Sequence, residues 1–291
     1  MGRKRKRFLN FLRHTAELLA IYATLGNGLL SEERKTLAVA FWNVENLFDT
    51  VDDPLKQDED FTPSGRYHWT EEKLATKIEN LSRVIKSMNA DIVGLAEVEN
   101  IEVLRRLARS AGYQNAYLIE RGDSRGIDVG IISRLPLGDV KNFGHLRGYL
   151  TGNAIGLTFA FTHWKSKRGN EARTSEARYR QAAQATELRS PVLLMGDLNE
   201  EPSEKGRSLL REMGFTELTI DRDCRSFYSG ARGECIDGAY LRQSPSDVCS
   251  IAILESAVFR ESSINMRGQR RPDSGISDHW PLLIKIEVRC N

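Results

Sequence analysis

Short apolar runs and amphipathic segments alternate along most of this chain of 291 residues. Apolar runs that stop abruptly at Gly, Pro, Asp or Asn are typical of buried strands, whereas apolar residues repeated every three or four positions are typical of helices packed by one face. The pattern predicts strands over 37–43, 91–96, 113–120, 127–133, 155–162, 192–196, 250–258 and 281–288, with a hairpin at 225–242. It predicts helices over 70–88, after Asn100, over 173–188 and over 203–213, with Thr70 as the N-cap of the first.

Several predicted strands in the second half of the chain follow one another with no helix between them. This order indicates an α/β protein with mixed sheets rather than a strict βαβ repeat. We expect one domain over 35–291, preceded by a basic, amphipathic extension over 1–34. That extension has the outline of a signal peptide, but Arg13 and Glu17 interrupt its apolar stretch and no suitable cleavage site follows. The sequence therefore favours a cytoplasmic protein without a transmembrane segment, with export as the alternative.

The charge balance excludes one class of protein. The formal net charge is +2, and without the five basic residues at 3–7 it is −3. A domain with this balance is not a nucleic-acid binder that depends on extensive counterion release. It remains compatible with a nuclease, because acidic metal ligands are neutralised by the cation that they bind.

The chain has four cysteines, and none of them forms a Cys-x-x-Cys pair. This spacing argues against a zinc site. Cys224 and Cys235 flank the predicted hairpin and could face each other, which would suit a disulfide in an exported protein. Four reduced thiols in a cytoplasmic enzyme are the alternative, and the sequence leaves both open.

Two polar signatures stand next to predicted strands. Asp197-Leu198-Asn199 follows the strand at 192–196, and Ser277-Asp278-His279 precedes the last strand. Five further polar residues end or interrupt apolar runs, namely Asn43, Glu97, Asp128, His163 and Asp237. Burying carboxylates is costly unless they are paired or bound to a cation. A hard divalent cation with oxygen ligands explains the set, so the sequence predicts a metal-assisted hydrolytic site.

Four segments together resemble the endonuclease/exonuclease/phosphatase superfamily, which includes deoxyribonucleases, abasic-site endonucleases, neutral sphingomyelinases and inositol-polyphosphate 5-phosphatases. The segments are 41–48 (FWNVENLF), 91–98 (DIVGLAEV), 195–199 (MGDLN) and 277–279 (SDH). The likeness covers the chain from about residue 38 to residue 286 and is closest to bacterial members. It implies a deoxyribonuclease-like, four-layer α/β/β/α sandwich of two packed mixed sheets.

The resemblance also implies a role for each polar residue. It assigns Glu97, Asn43 and Asp278 to the binding of Mg²⁺ or Mn²⁺. Asp197 and Asn199 are expected to orient the attacking water and the phosphate. The site would then combine a metal centre with a carboxylate beside the reacting phosphorus.

Two histidines complete the implied machinery. His279 is expected to be a general acid/base oriented by Asp237, since a carboxylate fixes the tautomer of an imidazole. His163 is expected to bind a phosphate oxygen or to act as the second acid/base. By position, Asp128 is expected to pair with His163.

The resulting hypothesis is a metal-dependent phosphodiester hydrolase, specifically an endonuclease that cleaves DNA or RNA by in-line attack of water. Lys165, Lys167 and Arg168 follow His163 and are expected to contact phosphate. A phosphatase or phospholipase C-type enzyme acting on a phosphoinositide, sphingomyelin or a nucleotide is the alternative. A non-catalytic binding protein would have lost a catalytic polar group, and none is missing. We expect nucleic acid as substrate, no obligate protein partner and a monomer.

Overall fold

The computed structural model describes residues 33–121, 124–145, 147–218, 223–229, 232–260 and 276–290. Nearly all of the predicted extension over 1–34 lies outside these residues. Within them, two mixed sheets pack face to face, and helices cover the outer face of each sheet. The predicted four-layer α/β/β/α sandwich is confirmed.

The strands are β1 (Glu33–Leu47), β2 (Ile92–Val98), β3 (Asn115–Leu118), β4 (Asp128–Ser133), β5 (Gly138–Phe143), β6 (Tyr149–Ala154), β7 (Leu157–His163), β8 (Val192–Asp197), β9 (Thr216–Glu217), β10 (Phe227–Ser229), β11 (Arg232–Glu234), β12 (Asp237–Arg242), β13 (Cys249–Val258) and β14 (Leu282–Cys290). The helices are α1 (Glu71–Met88), α2 (Ile101–Ala111), α3 (Glu171–Gln184) and α4 (Lys205–Glu212), with single 3₁₀ turns at Glu59–Phe61 and Ala185–Glu187.

The two sheets share one design. The first has the strand order β13-β14-β1-β2-β4-β3, and the second has the order β5-β6-β7-β8-β12-β9. In each, the central pair is parallel, β1 with β2 and β7 with β8, while the other pairs are antiparallel. Each parallel pair has the carboxyl ends of its two strands at the same edge of its sheet, so polar side chains at the ends of four strands can lie close together.

The interface between the sheets is apolar and closely packed. Phe41 and Phe161 stack across it with their ring centroids 6.5 Å apart. Gly94 leaves the room for this contact, because a Cβ atom on it would lie 2.1 Å from the Phe161 ring. The absence of a side chain at this one strand position thus sets how closely the sheets approach.

The helices begin and end at the residues that the sequence suggests. The Thr70 side chain accepts a hydrogen bond from the backbone of Lys73 at the start of α1, and Asn89 ends that helix in the left-handed conformation at φ 48°. Asn100 caps α2 through two backbone N–H groups. These caps satisfy groups that a helix terminus would otherwise leave unpaired.

Three predictions of local structure need correction. The strands β5 and β6 were not predicted, because their polar residues and their largely exposed positions in β5 hide the alternation of a strand. The predicted hairpin at 225–242 is instead a short ribbon, β10 with β11, followed by β12 in the second sheet. Asp237 therefore opens a sheet strand rather than lying in a hairpin.

All four cysteines form disulfides. Cys224 bonds to Cys235, which is one of the two alternatives that the sequence left open. Cys249 bonds to Cys290 across directly paired positions of β13 and β14. In the described part of the chain, no helix combines the length and the apolar character needed to cross a bilayer.

Candidate active site

The site lies where the central strands of the two sheets end. His163 at the end of β7 pairs in register with Asp197 at the end of β8, and Asp197 pairs in turn with Asp237 on β12. In the other sheet, Asn43 pairs with Ala96, directly before Glu97. Parallel strands present their last side chains at the same edge, so chain-distant polar residues meet here.

Asn43 links the two sheets. Its Nδ2 donates to Oδ2 of Asp197 at 3.0 Å and to Oε1 of Glu97 at 3.4 Å. Its Oδ1 accepts from the backbone N–H of Glu45 at 3.0 Å. Both ends of this buried amide therefore hold protein groups, and Asn43 acts on the neighbouring carboxylates by positioning them.

His279 is held by a buried carboxylate. Its Nδ1 lies 2.8 Å from Oδ2 of Asp237, which also accepts from the Ser226 hydroxyl at 2.5 Å. Burial by itself lowers the pKa of His279, but the charges of Asp237, Asp197 and nearby carboxylates outweigh burial and raise the pKa well above 6.5. The imidazole is therefore protonated at neutral pH, with Nδ1–H donating to Asp237.

His163 is in the opposite state. Burial lowers its pKa to about 4, and the Glu97 carboxylate opposes this only in part. Its Nε2 lies 3.5 Å from Oδ2 of Asp197 and 3.9 Å from Oε1 of Glu97. At neutral pH this imidazole is uncharged and can exchange a hydrogen bond with a ligand.

Asp197 lies between the two imidazoles. Its Oδ2 is 3.5 Å from Nε2 of His163 and 3.7 Å from Nε2 of His279. Burial raises its pKa to about 7, while His279 opposes the rise. Its Oδ1 accepts from the backbone of Asn199 at 3.0 Å, which leaves Oδ2 directed at the gap between the rings.

A group of three carboxylates, Glu45, Glu97 and Asp278, lies beside this gap; we call it the acidic cluster. Burial and the charge of Asp278 raise the pKa of Glu45 to about 8. Burial raises the pKa of Glu97, but His163 in its protonated form at acid pH, the charges of Arg125 and His279, and a hydrogen bond from Asn43 outweigh burial, so the pKa is lowered. The pKa values of Glu45 and Asp278 are thus raised, whereas that of Glu97 is lowered. A bound cation would stabilise the ionised form of all three carboxylates.

Lys77 reaches this cluster from α1. Its Nζ donates to the backbone carbonyl of Glu45 at 2.7 Å and lies 3.5 Å from that of Ile276. Only 5% of the residue is exposed, and burial lowers its pKa. The ammonium group ties the end of β1 to the loop that carries Asp278 and His279.

The 277–279 loop is also fixed to β1 by hydrogen bonds. The Ser277 hydroxyl donates to the carbonyl of Asn43 at 2.7 Å and accepts from the backbone of His279 at 3.0 Å. Nε1 of Trp42 donates to the carbonyl of His279 at 2.8 Å. The 277–279 loop is therefore positioned by β1, which precedes it by more than 200 residues.

Four of the nine described non-glycine residues with a positive φ angle lie at the site. Glu45, Asn46, Glu97 and Asn199 all have left-handed φ angles, of 52°, 57°, 63° and 50°. Such angles are costly for residues other than glycine and persist where the surroundings impose them. Here they turn the chain at the ends of β1, β2 and β8 and present the carboxylates to one another.

The structure brings together most of the predicted catalytic and metal-binding residues, but not Asp128. That carboxylate is buried, accepts from the backbone of Arg121 at 3.3 Å, and has its pKa raised by burial to about 6. Its predicted pairing with His163 is wrong, because His163 faces Glu97 and Asp197. Asp128 lies in β4, on the side of β2 away from β1 and Asn43.

The three predicted phosphate-binding residues are placed differently from one another. Lys167 is bound to Glu204, with 2.6 Å between Nζ and Oε2, and so is occupied away from the site. Arg168 is exposed, and Lys165 lines a cavity beside His163. Asn199 stands at the end of β8, with its Nδ2 donating to the carbonyl of Trp164 at 3.2 Å.

Two important residues, Glu45 and Lys77, were missed from the sequence. Glu45 lies two positions after Asn43, and the local sequence pattern does not indicate that its side chain faces the other carboxylates. Lys77 stands three residues after Leu74 and four before Leu81, on the apolar face of α1. A lysine at a core position of a helical repeat is a signal that could have revealed it.

The donor groups suit a metal ion. Asp197, Asp237 and His279 each place one ligand atom within 4.8 Å of the others, a grouping that could hold an ion. In that group the Nδ1 atom is already bonded to Asp237, which favours an imidazole–carboxylate pair over a metal centre. The acidic cluster offers carboxylate oxygens alone, the ligands that Mg²⁺ and Mn²⁺ prefer.

Comparisons with known proteins agree with this geometry. A model of the Endonuclease/Exonuclease/phosphatase family matches residues 38–154. No curated protein gives a significant match to the chain. The matched segment contains Asn43 and Glu97, and the name of the family describes enzymes that act on phosphoester bonds.

Solved structures share the fold. An endonuclease/exonuclease/phosphatase family protein from Bacteroides thetaiotaomicron is 15% identical, with 88% of this chain and 96% of that chain covered and a TM-score of 0.58. Humanized D. rerio TDP2 is 16% identical over 86% of this chain and 98% of that chain, with a TM-score of 0.59. TDP2 from C. elegans is 16% identical over 93% and 81%, with a TM-score of 0.52. The resemblance to the endonuclease/exonuclease/phosphatase superfamily is confirmed.

Proposed function

We propose that this protein is a divalent-metal-dependent phosphodiester hydrolase whose substrate is a nucleic acid. One observation carries the proposal: Asp197 lies between two buried imidazoles of opposite protonation state, 3.5 Å from His163 and 3.7 Å from His279. Hydrolysis of a phosphodiester needs a base for the attacking water and positive charge near the phosphoryl oxygens. This arrangement supplies both within one compact group of side chains.

The Asp197 carboxylate is the proposed proton acceptor. Its pKa near 7 places it where a general base works well at neutral pH. The water oxygen forms its bond to phosphorus as the bond to the departing oxygen breaks, and the proton of the water passes to Oδ2 of Asp197. Asn199 keeps this carboxylate oriented by donating its backbone N–H to the other oxygen.

The two imidazoles act on the phosphoryl oxygens. His279, protonated and fixed by Asp237, offers Nε2–H to a developing negative charge. His163 is neutral and offers a hydrogen bond without adding a charge. Because both rings are buried, these interactions take place in a low dielectric, where they are stronger than in water.

The acidic cluster is the proposed metal site, with Glu97, Glu45 and Asp278 as ligands. A divalent cation bound there would neutralise charge on the departing oxygen and on the phosphate. Asn43 supports the site by holding Glu97 and Asp197 in place. Lys77 orients the backbone of the cluster by donating its Nζ to the carbonyl of Glu45.

Nucleic acid is the preferred substrate class because cations surround His163. The positive charges of Arg147 and Arg125 are among the causes that lower the pKa of this histidine, so both guanidinium groups lie close enough to act on it. Repeated phosphates along a strand would be attracted to such a surface. The two disulfides favour an oxidising compartment for the enzyme, which supports the export alternative.

A substrate panel tests the proposal. The protein is incubated with plasmid DNA, single-stranded DNA, RNA, sphingomyelin vesicles and a phosphomonoester, each with Mg²⁺ and with EDTA. We expect cleavage of DNA or RNA that requires the metal and that falls by about 10²–10³-fold in His279→Ala, the usual contribution of one donor to a developing oxyanion. Turnover of the lipid or the monoester without cleavage of any nucleic acid would overturn the nucleic-acid assignment.

A further inference from the structure

A cavity of about 800 Å³ lies beside His163; we call it the basic cavity. Its wall comes from four parts of the chain: the segment after β3, the end of β5 with the turn to β6, the loop after β7, and α3. Lys165, two residues beyond His163, forms one side, and Arg147 forms another. Because Arg147 also acts electrostatically on His163, the cavity adjoins the candidate active site.

The lining is cationic. Arg121, Arg147, Lys165 and Arg173 contribute four positive charges, and His145 adds a titratable group. No aspartate or glutamate occurs among the described residues that line it. A concave surface with charges of one sign focuses the electrostatic potential and concentrates ligands of the opposite sign. The chemistry of the cavity is therefore that of a site for an anion.

Arg121 gives a second, independent indication. Its Nη2 is buried and has no hydrogen-bond partner among the described residues. Burial lowers the pKa of this guanidinium to about 10, and the nearby Asp128 carboxylate opposes the effect only in part. A buried cationic donor without a partner is costly, and an anionic oxygen would supply what it lacks.

The rim of the basic cavity is held in place by hydrogen bonds to the backbone of Lys165. The backbone N–H of Lys165 donates to Oε1 of Gln181 at 2.8 Å, and its carbonyl accepts from Nη1 of Arg178 at 3.4 Å. Gln181 and Arg178 are buried residues of α3. Lys165 is thus anchored at its backbone, while its side chain is exposed above the cavity.

We propose that the basic cavity binds the nucleotide next to the scissile phosphate, with its phosphate on the arginine and lysine side chains. The inference rests on the proposed function and deepens it, because it makes the substrate a strand with at least two phosphates. The volume is within the range of sites that enclose a small ligand. Walls on several sides suit a single strand better than a duplex, and a positively charged groove that follows the backbone is one feature of single-strand binding.

Binding tests the proposal without relying on turnover. Anisotropy of a fluorescent thymidine pentanucleotide is measured in EDTA, over a series of salt concentrations, for wild type and for Lys165→Ala/Arg173→Ala. Both substituted residues are exposed, so the fold should tolerate the change. We expect the variant to bind at least tenfold more weakly, with a salt slope smaller by ~1.4, since each phosphate contact on a single strand contributes about 0.7. Arg180→Ala/Lys205→Ala removes the same charge from exposed positions outside the cavity and should leave both quantities unchanged.

Hydrolysis of two substrates distinguishes the role of the basic cavity from that of the active site. Bis(p-nitrophenyl) phosphate has one phosphodiester and no neighbouring phosphate. In the cavity variant, the ratio of kcat/KM for the pentanucleotide to kcat/KM for this small diester should fall by about tenfold or more, because the lost contacts act on the neighbouring phosphate. An equal loss of kcat/KM on both substrates, or unchanged binding of the pentanucleotide, would overturn the proposal that the basic cavity binds the neighbouring nucleotide. If wild type cleaves neither substrate, the proposed function fails, and the EDTA binding data still decide whether the cavity holds a strand.

Discussion

Oδ2 of Asp237, at the start of β12 in the second sheet, lies 2.8 Å from Nδ1 of His279, in the loop before β14 of the first sheet. The Ser226 hydroxyl bonds to the same carboxylate oxygen, and Ser277 holds the backbone of the histidine. The pair therefore sets the charge of the imidazole and fixes its position across the interface between the sheets. Its consequence is a dependence of activity on pH that a single substitution should shift.

Asp237→Asn should move the alkaline limit of activity to lower pH. The active form of His279 is the imidazolium, so the rate falls as pH rises through its pKa, which the carboxylates raise well above 6.5. Removing one negative charge in contact with the ring should lower this limit by about 1–3 pH units. The profile of kcat/KM against pH measures it, and a uniform fall in rate with an unmoved alkaline limb would contradict the assigned role.

Lys77→Met should weaken the fold and increase its response to divalent cations. The substitution keeps the length of the side chain but leaves the Glu45 carbonyl without its donor and the acidic cluster without its ammonium group. We expect the free energy of unfolding to fall by about 1–3 kcal/mol, the cost of an unsatisfied buried group. Mg²⁺ should then raise the melting temperature more than it does in wild type, because it replaces the lost charge.

Lys86→Met is the matched control for this change, since Lys86 lies exposed in the same helix. It should leave both the stability and the Mg²⁺ response close to wild type. Identical behaviour of the two variants would show that Lys77 does not act on the cluster.

Gly94→Ala should destabilise the packing of the two sheets. A Cβ atom there would lie 2.1 Å from the Phe161 ring, so the ring or a sheet must move. Overpacking of this kind costs about 1–3 kcal/mol. Gly138→Ala is the control, because its nearest atom is 3.8 Å away and it should change stability by less than about 0.5 kcal/mol. Chemical unfolding measures both, and Phe161→Leu should partly rescue Gly94→Ala.

Loss of the disulfides should lower stability according to the loop that each one closes. Cys249 and Cys290 are separated by 41 residues and Cys224 and Cys235 by 11. Loop entropy then gives ~4 kcal/mol for the first bond and ~3 kcal/mol for the second. Guanidinium unfolding of the two double serine variants tests this order. Equal midpoints for oxidised and reduced wild-type protein would contradict a structural role for the bonds.

Local patterns in the sequence predict most of the elements but not the way in which distant strands pair. The apolar spacing around Leu74 and the capping side chain of Thr70 correctly predict α1. Asp237 was assigned to a hairpin because the neighbouring turn is visible locally, whereas its pairing with Asp197 depends on β12 joining β8. Strand pairing over such separations is decided by tertiary packing.

The residues of the candidate site can likewise be identified from local patterns, but their mutual contacts cannot. Asp197, His279 and Glu97 are identifiable because polar residues at the ends of apolar strands need a physical explanation. The misplaced Asp128 met the same criterion, but its carboxylate is satisfied by Arg121 beyond the site. The criterion finds buried polar groups, and only the fold shows which of them face one another.

The most direct test of the account is the single-turnover cleavage of a labelled single-stranded DNA or RNA by wild type, Asp197→Asn and Glu97→Gln. The account predicts cleavage by wild type with Mg²⁺ and none with EDTA. It predicts a fall of at least about 10²-fold in Asp197→Asn with the metal present, the scale of a lost general base. It also predicts that Glu97→Gln needs a higher Mg²⁺ concentration to reach its maximal rate. Metal-independent cleavage, or full activity in Asp197→Asn, would contradict the central claim that these residues form one metal-assisted phosphodiester site.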